Sequence, residues 1–173
     1  MKNVCSFLVT LILFYGIPAG ANESITFVDM DYVINQSNAG KQINEELSKK
    51  HKSNIKKFSK IEQSLKEEEK KIISQKNILE KTEFEKKIVI LREKANNYRK
   101  ERKEVIDNLT KQKIYATTKL LDLVRPILAK YSSDQSISII IEKKNIIIGK
   151  SELDITQDIL KIVNSDIAKI KIE

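Results

Sequence analysis

Tryptophan is absent from this 173-residue chain, histidine and cysteine occur once each, proline twice and glycine four times. Each gap excludes something. The single cysteine, Cys5, lies in an N-terminal stretch that reads as an export signal. Lys2 is the charged start, Val4 to Ile17 the apolar run, and Ala19-Gly20-Ala21 a small-residue cleavage site. Loss of residues 1–21 leaves a mature chain from near Asn22 with no thiol, hence no disulfide and no Cys-based metal site. In an oxidising compartment such as a bacterial periplasm, that avoids mispairing. A transmembrane anchor is the competing reading, but spanning takes about 20 apolar residues, and Pro18-Ala19-Gly20 ends the run early. A lipoprotein anchor is not expected, because Cys5 precedes the apolar run.

Chemistry-bearing patterns are missing too. His51 sits among Lys49, Lys50 and Lys52, and neighbouring cations oppose metal binding. There is no Gly-rich phosphate loop and no plausible Ser-His-Asp set. The run Glu67-Glu68-Glu69 lies among lysines at spacings that suit i,i+4 ion pairs on a helix. The expectation is a protein that is not an enzyme and takes no cofactor. Scarce glycine, proline and aromatics also mean few turns and a small core, which long exposed helices explain better than a globule.

What is present is charge and periodicity. The chain carries +8 overall, and the stretch Asn38–Lys130 alone holds a larger positive excess, so its flanks are net acidic. A basic stripe suits anionic lipid, acidic polypeptide or nucleic acid; export makes nucleic acid the least expected, and no base-reading module is visible. Within the stretch, Phe58, Ile61, Leu65, Ile72 and Leu79 alternate at three and four residues. Ile43, Leu47 and Ile55 continue the stripe less regularly. Phe84, Ile88, Leu91, Ala95, Tyr98, Arg102, Val105 and Leu109 repeat the pattern, and Ala116, Leu120 and Leu123/Val124 extend it. This is a coiled-coil seam with polar interruptions. Thr82-Glu83-Phe84-Glu85 reads as a capping box, which places a turn near 79–82 and predicts an antiparallel hairpin with arms of roughly 60 Å. One continuous helix through Thr82 is the alternative. Pro126 is expected to kink the second helix.

The flanks read as strands and short helices. Ile25 to Asp29 is a strand, Asp29 or Asp31 caps a helical turn, and Ser37-Asn38 caps the first long helix. Ile137–Ile141 and Ile146–Ile148, joined by Glu142-Lys143-Lys144-Asn145, read as a β-hairpin, and Asp154-Ile155-Thr156-Gln157 caps a last helix. The expected fold is α+β: a small body of three strands, a long antiparallel coiled-coil hairpin and a short C-terminal helix. The divisions are a signal over 1–21, a body from 22–37 and 132–173, and an arm over 38–131. Three strands bury little by themselves, so oligomerisation through strand residues Ile25, Phe27, Val28, Ile137, Ile139, Ile141, Ile146 and Ile148 is expected. Along the arm, Lys56, Lys57, Lys60, Lys86, Lys87 and Arg92, with Ile73, Ile78, Leu79 and Phe84 near the tip, are the candidate contacts. Mixed charge and apolar surface suits a promiscuous holder of non-native chains, although the tip residues also serve simply to close the hairpin.

The chain resembles the Skp/OmpH family of periplasmic chaperones over essentially its whole mature length. The resemblance is carried by Ile25-Thr26-Phe27-Val28-Asp29-Met30 leading to Val33-Ile34. It is carried also by the tail from Ile137-Ser138-Ile139-Ile140-Ile141-Glu142 through Ile146-Ile147-Ile148 to Asp154-Ile155-Thr156-Gln157-Asp158-Ile159-Leu160. It implies a homotrimer with strands shared in a central body and three helical arms around a cavity. It also implies an ATP-independent holdase for unfolded outer-membrane proteins, with lipopolysaccharide or anionic lipid as a further contact. The family offers no catalytic residues. A structural or adaptor coiled coil is the other class of function that this sequence suits.

Overall fold

The computed structural model describes residues 24–167 and 169–170. The export signal expected over 1–21 lies outside the described residues. In chain order the elements are strand β1 (Ser24–Val28), helix α1 (Met30–Gln36), helix α2 (Asn38–Ser74), helix α3 (Lys81–Asp134), strand β2 (Ile137–Glu142) and helix α4 (Thr156–Asp166). Single 3-10 turns occupy Lys143–Asn145 and Ser151–Leu153.

The starts of α1 and α2 follow from side-chain caps. The Asp29 carboxylate accepts from the Tyr32 N–H at 2.8 Å and opens α1. Ser37, fully buried, accepts from the Gly40 N–H at 3.1 Å and opens α2. Each satisfies one of the donors that a helix start leaves orphaned. The two long helices pack on each other as an antiparallel hairpin. Cross-arm contacts run in register from Lys50–Gln112 (3.1 Å) through Lys57–Glu101 and Glu68–Lys94 (2.7 Å) to Gln75–Lys87 (3.5 Å).

The turn lies slightly earlier than the capping box suggested. Gln75 to Glu80 reverse the chain through Ile78 N–H and Leu79 N–H bonds to the Gln75 carbonyl, both 3.0 Å. Glu80, at φ −57° and ψ 141°, breaks the helical path, so α3 already begins at Lys81. Thr82 therefore sits inside the helix and caps nothing, and the continuous-helix alternative is excluded. Helix α3 runs unbroken past Pro126 to Asp134.

The expected three-strand arrangement is corrected. Among the described residues the sheet has two strands, β1 and β2, running parallel, with Ile25 beside Ile139, Thr26 beside Ile140, Phe27 beside Ile141 and Val28 beside Glu142. Parallel strands need a long crossover, and here the whole helical arm is that crossover. Ile146–Ile148 forms no strand, because the 3-10 turn at Lys143–Asn145 carries the chain away from β2 rather than back along it. It crosses the Phe27 ring instead, close enough that a Cβ on Gly149 would stand 2.8 Å from that ring.

One buried cluster joins these pieces. Val28, Val33, Ala39, Ile43, Ala116, Leu120, Val124, Ile155, Ile159 and Val163 meet at the root of the arm, with Ile140 and Leu128 packed against them. The stable body is thus a knot of helix ends beneath a two-stranded sheet, and the arm projects from it.

Candidate functional site

The seam pattern read from the sequence closes the arm as expected in most layers. Phe58 and Ile72 are buried, while Ile61, Leu65, Leu79, Phe84, Ile88, Leu91, Ala95 and Tyr98 are half-buried. Ile55 departs from the stripe and is 54% exposed. At the tip the candidate residues divide. Leu79 and Phe84 are partly covered where the hairpin closes, whereas Ile73 and Ile78 point to solvent at 58% and 80% exposure. Exposed Val89, Ile90, Ile106 and Ile114 on α3 add apolar surface that seam periodicity could not flag, because they lie off the stripe.

The cations divide as well. Lys57 bonds Glu101 across the arm and stands 5.6 Å from the Phe58 ring centroid. Lys87 reaches Glu83 at 3.9 Å and Gln75 at 3.5 Å. Lys56, Lys60, Lys86 and Arg92 are exposed and make no salt bridge among the described residues. Pairs along the arm are solvent-facing, screened, and individually contribute little to stability. Lys66, hydrogen-bonded to Glu62, holds that carboxyl below its usual range. The arm surface is therefore a field of screened positive charge interrupted by single apolar side chains, spread over both helices. No group of three or more His, Cys, Asp or Glu is placed to hold a metal among the described residues.

The body carries a second set. Phe27 and Val28 are buried within the single chain, and Ile137, Ile141 and Ile146 are half-buried. Ile25 (43%) and Ile139 (50%), neighbours in the sheet, are open, as are Ile147 (98%) and Ile148 (92%). Ile147, the most exposed of these, was not singled out by the alternation read from the sequence.

The Asp-Ile-Thr segment acts as a clamp. The Ile155 N–H donates to the Phe27 carbonyl (2.9 Å), and the Thr156 hydroxyl accepts from the Asp29 N–H (2.9 Å). Asp154 accepts from the Thr156 N–H (3.0 Å), the Thr156 hydroxyl and the Lys143 ammonium (2.7 Å). Partial burial pushes the Asp154 carboxyl up, but hydrogen bonds from Lys143 and Thr156, with the Lys143 charge, outweigh it and hold it below the usual carboxylate range. A pKa lowered on folding stabilises the fold above the unfolded value, and that contribution is lost as pH falls through the lower folded value. Asp154→Asn is expected to cost about 1–2 kcal/mol at neutral pH. It should also flatten the loss of stability below about pH 4 relative to the parent chain. Urea midpoints at pH 7 and pH 3 check this; equal acid sensitivity in both proteins would remove Asp154 from the account.

No curated protein matches the sequence. Among solved structures, a crystal structure of an OmpH-like protein from Caulobacter crescentus CB15, proposed to be an outer membrane chaperone, superposes with a TM-score of 0.79. The identity is 14%, with 86% of this chain and 88% of that chain covered, so the likeness concerns the fold. The family model described as outer membrane protein (OmpH-like) matches residues 24–163, from β1 through the whole arm into α4. The chain belongs to the OmpH-like outer membrane protein family.

Proposed function

We propose that the mature chain is an ATP-independent periplasmic holdase that keeps unfolded outer-membrane proteins between its helical arms and assists their delivery to the outer membrane. The observation that carries this reading is that the family match spans body and arm together. The character of the arm supports it. Exposed Lys56, Lys60, Lys86 and Arg92, together with exposed Ile73 and Ile78, offer many weak contacts and no single deep site. Weak distributed contacts hold a non-native chain without fixing it, and keep its strand edges from pairing with other chains.

The working unit in this reading is a homotrimer, with 1–21 removed, 38–131 as arm, and 22–37 with 132–173 as assembly body. Open Ile25, Ile139, Ile147 and Ile148, and the outer edge of β2, are the features that support association. The same arm cations suit an anionic lipid or lipopolysaccharide headgroup; no nucleic-acid partner is proposed.

The test is light scattering of a urea-unfolded outer-membrane barrel on dilution, with and without the mature protein, whose mass is measured in the same buffer. Suppressed scattering by a particle of three times the monomer mass is expected. Replacing Lys56, Lys60, Lys86 and Arg92 together by Glu should weaken client binding about tenfold at low salt while the mass stays unchanged. Unsuppressed scattering by a folded oligomer would instead identify an adaptor coiled coil.

A further inference from the structure

The two ends of the chain run side by side in the body. The Ile155 N–H donates to the Phe27 carbonyl at 2.9 Å, and the Asp29 N–H donates to the Thr156 hydroxyl at 2.9 Å. Further along, the Asn38 N–H donates to the Asn164 side-chain oxygen at 2.7 Å. The first two bonds precede α1 and α4 or open them; the third follows α1 and lies near the end of α4. Helix α4 thus lies along α1, start beside start and end beside end. Helix α1 has seven residues, far fewer than the roughly 12–15 that a helix needs to persist alone. Its order must come from what holds it in place.

The contact does not stop with α4. That helix closes with the Ile167 N–H on the Val163 carbonyl at 2.9 Å, and Ile167 turns to extended backbone at φ −113° and ψ 94°. Residues just past a last helix are ordinarily loose unless something ties them down. Here the chain still enters the core. Ile167 is 7% exposed and Ile170 3%, both in the buried cluster that holds Ala39, Ile43 and Leu120, while Lys169 faces solvent. Asn164, Ile167 and Ile170 all lie past residue 163, where the family match ends. Their contribution is therefore no part of the pattern that places the chain in its family.

From this we infer that residues 164–170 form a strap that fastens the corner between α1 and α2 to the body. Asn164 satisfies one of the donors that the start of α2 leaves orphaned. Ile167 and Ile170 add apolar contact to the cluster into which that corner packs. Helix α1 is then held at its start by the clamp at Thr156 and at its end by the strap. The corner closes only when the last residues of the chain are in place, so an N-terminal element depends on the C-terminal one for its order. This does not rest on the holdase reading.

Hydrogen exchange of the mature protein, resolved by residue, reads the strap directly. Ile170→Ala should speed exchange from Val33 to Lys41 at least about twentyfold, the loss expected for a buried isoleucine cut to alanine. Amides of the clamp, Asp29 and Ile155, should change by no more than about twofold, because their partners stay in place. Asn164→Ala, which removes one hydrogen bond, should speed exchange around Asn38 about fivefold. If Ile170→Ala loses its helical signal, Ile170→Val is read in the same way, with about a threefold change expected at the corner. Unchanged exchange from Val33 to Lys41 in the folded variant would overturn the inference. So would equal acceleration at the corner and at the clamp, since Ile170 would then be one more core residue and no strap.

Discussion

Gly40→Ala is expected to abolish folding of the arm root. Gly40 is buried at the corner between α1 and α2, where a Cβ would stand 1.7 Å from the Ile34 carbonyl oxygen and 3.1 Å from the Ser37 hydroxyl. The first contact is with backbone that has no rotamer to escape into. Gly40 has no positive φ, so the requirement is space and not conformational freedom. Relief demands that α1 move away from α2, which opens the cluster of Val33, Ala39, Ile43 and Leu120 and unseats the Ser37 cap. Several mechanisms of large destabilisation act together, so a cost above about 4 kcal/mol is expected, against a total stability on the order of 5–15 kcal/mol. Far-UV circular dichroism and a urea titration check it: the variant should show no cooperative transition, or a midpoint far below the parent's. Gly149→Ala offers the contrast. Its Cβ would meet the outer edge of the Phe27 ring, a side chain that can give way, and about 1–3 kcal/mol is expected. A Gly40→Ala protein with the parent's midpoint would mean that the α1–α2 corner is looser than its packing implies.

That corner was invisible in the sequence, because nothing local distinguishes a glycine that permits close helix approach from one that merely tolerates it. The arm was legible for the opposite reason. Its pattern is repeated over many turns, and a seam such as Phe84, Ile88, Leu91, Ala95 and Tyr98 reports its partner face wherever the chain folds. Between Leu47 and Phe58 the seam was only partly legible: Ile55 continues the stripe, yet it stays 54% exposed and shares the groove between the helices with half-buried Asn54. Short segments fared differently. The β-branched run Ile146–Ile148 has the composition of a strand, but a strand also needs a neighbour, and within one chain β2 does not provide it. The Asp-Ile-Thr segment was legible as a helix start, whereas its bonds to Phe27, Asp29 and Lys143 depend on tertiary placement and leave no periodic trace. Of the candidate contact residues, exposure separates Ile73 and Ile78 from Leu79 and Phe84 because the hairpin closes over the latter pair.

Ile139→Glu is expected to reduce the proposed homotrimer to single chains without unfolding them. In the sheet, Val28 and Ile140 face the core, while Ile25 and Ile139 lie side by side on the opposite face. Phe27 shares that face but is buried where the chain at Gly149 crosses its ring. Ile25 and Ile139 have no such cover and remain 43% and 50% exposed. On an isolated chain, a charge at Ile139 therefore stays in water, and its effect should remain within about 0.5 kcal/mol. Within a body built from several copies the same carboxylate would be desolvated without a partner, at a cost of several kcal/mol per copy. The two environments give opposite results, so mass and stability together decide. If the parent is the proposed trimer, mass measurement at micromolar protein should give one-third of its value, with helical content retained because the arm root lies on the other side of the sheet. An unchanged mass would place the assembly surface elsewhere, on the open Ile147-Ile148 segment, where the same substitution can then be made. A two-stranded sheet is marginal by itself, and an open pair of isoleucines beside a strand edge that is unpaired among the described residues invites uncontrolled pairing. Association that covers both would remove that liability, and in the proposed trimer it would also gather the arms around one axis, which a solitary hairpin cannot do.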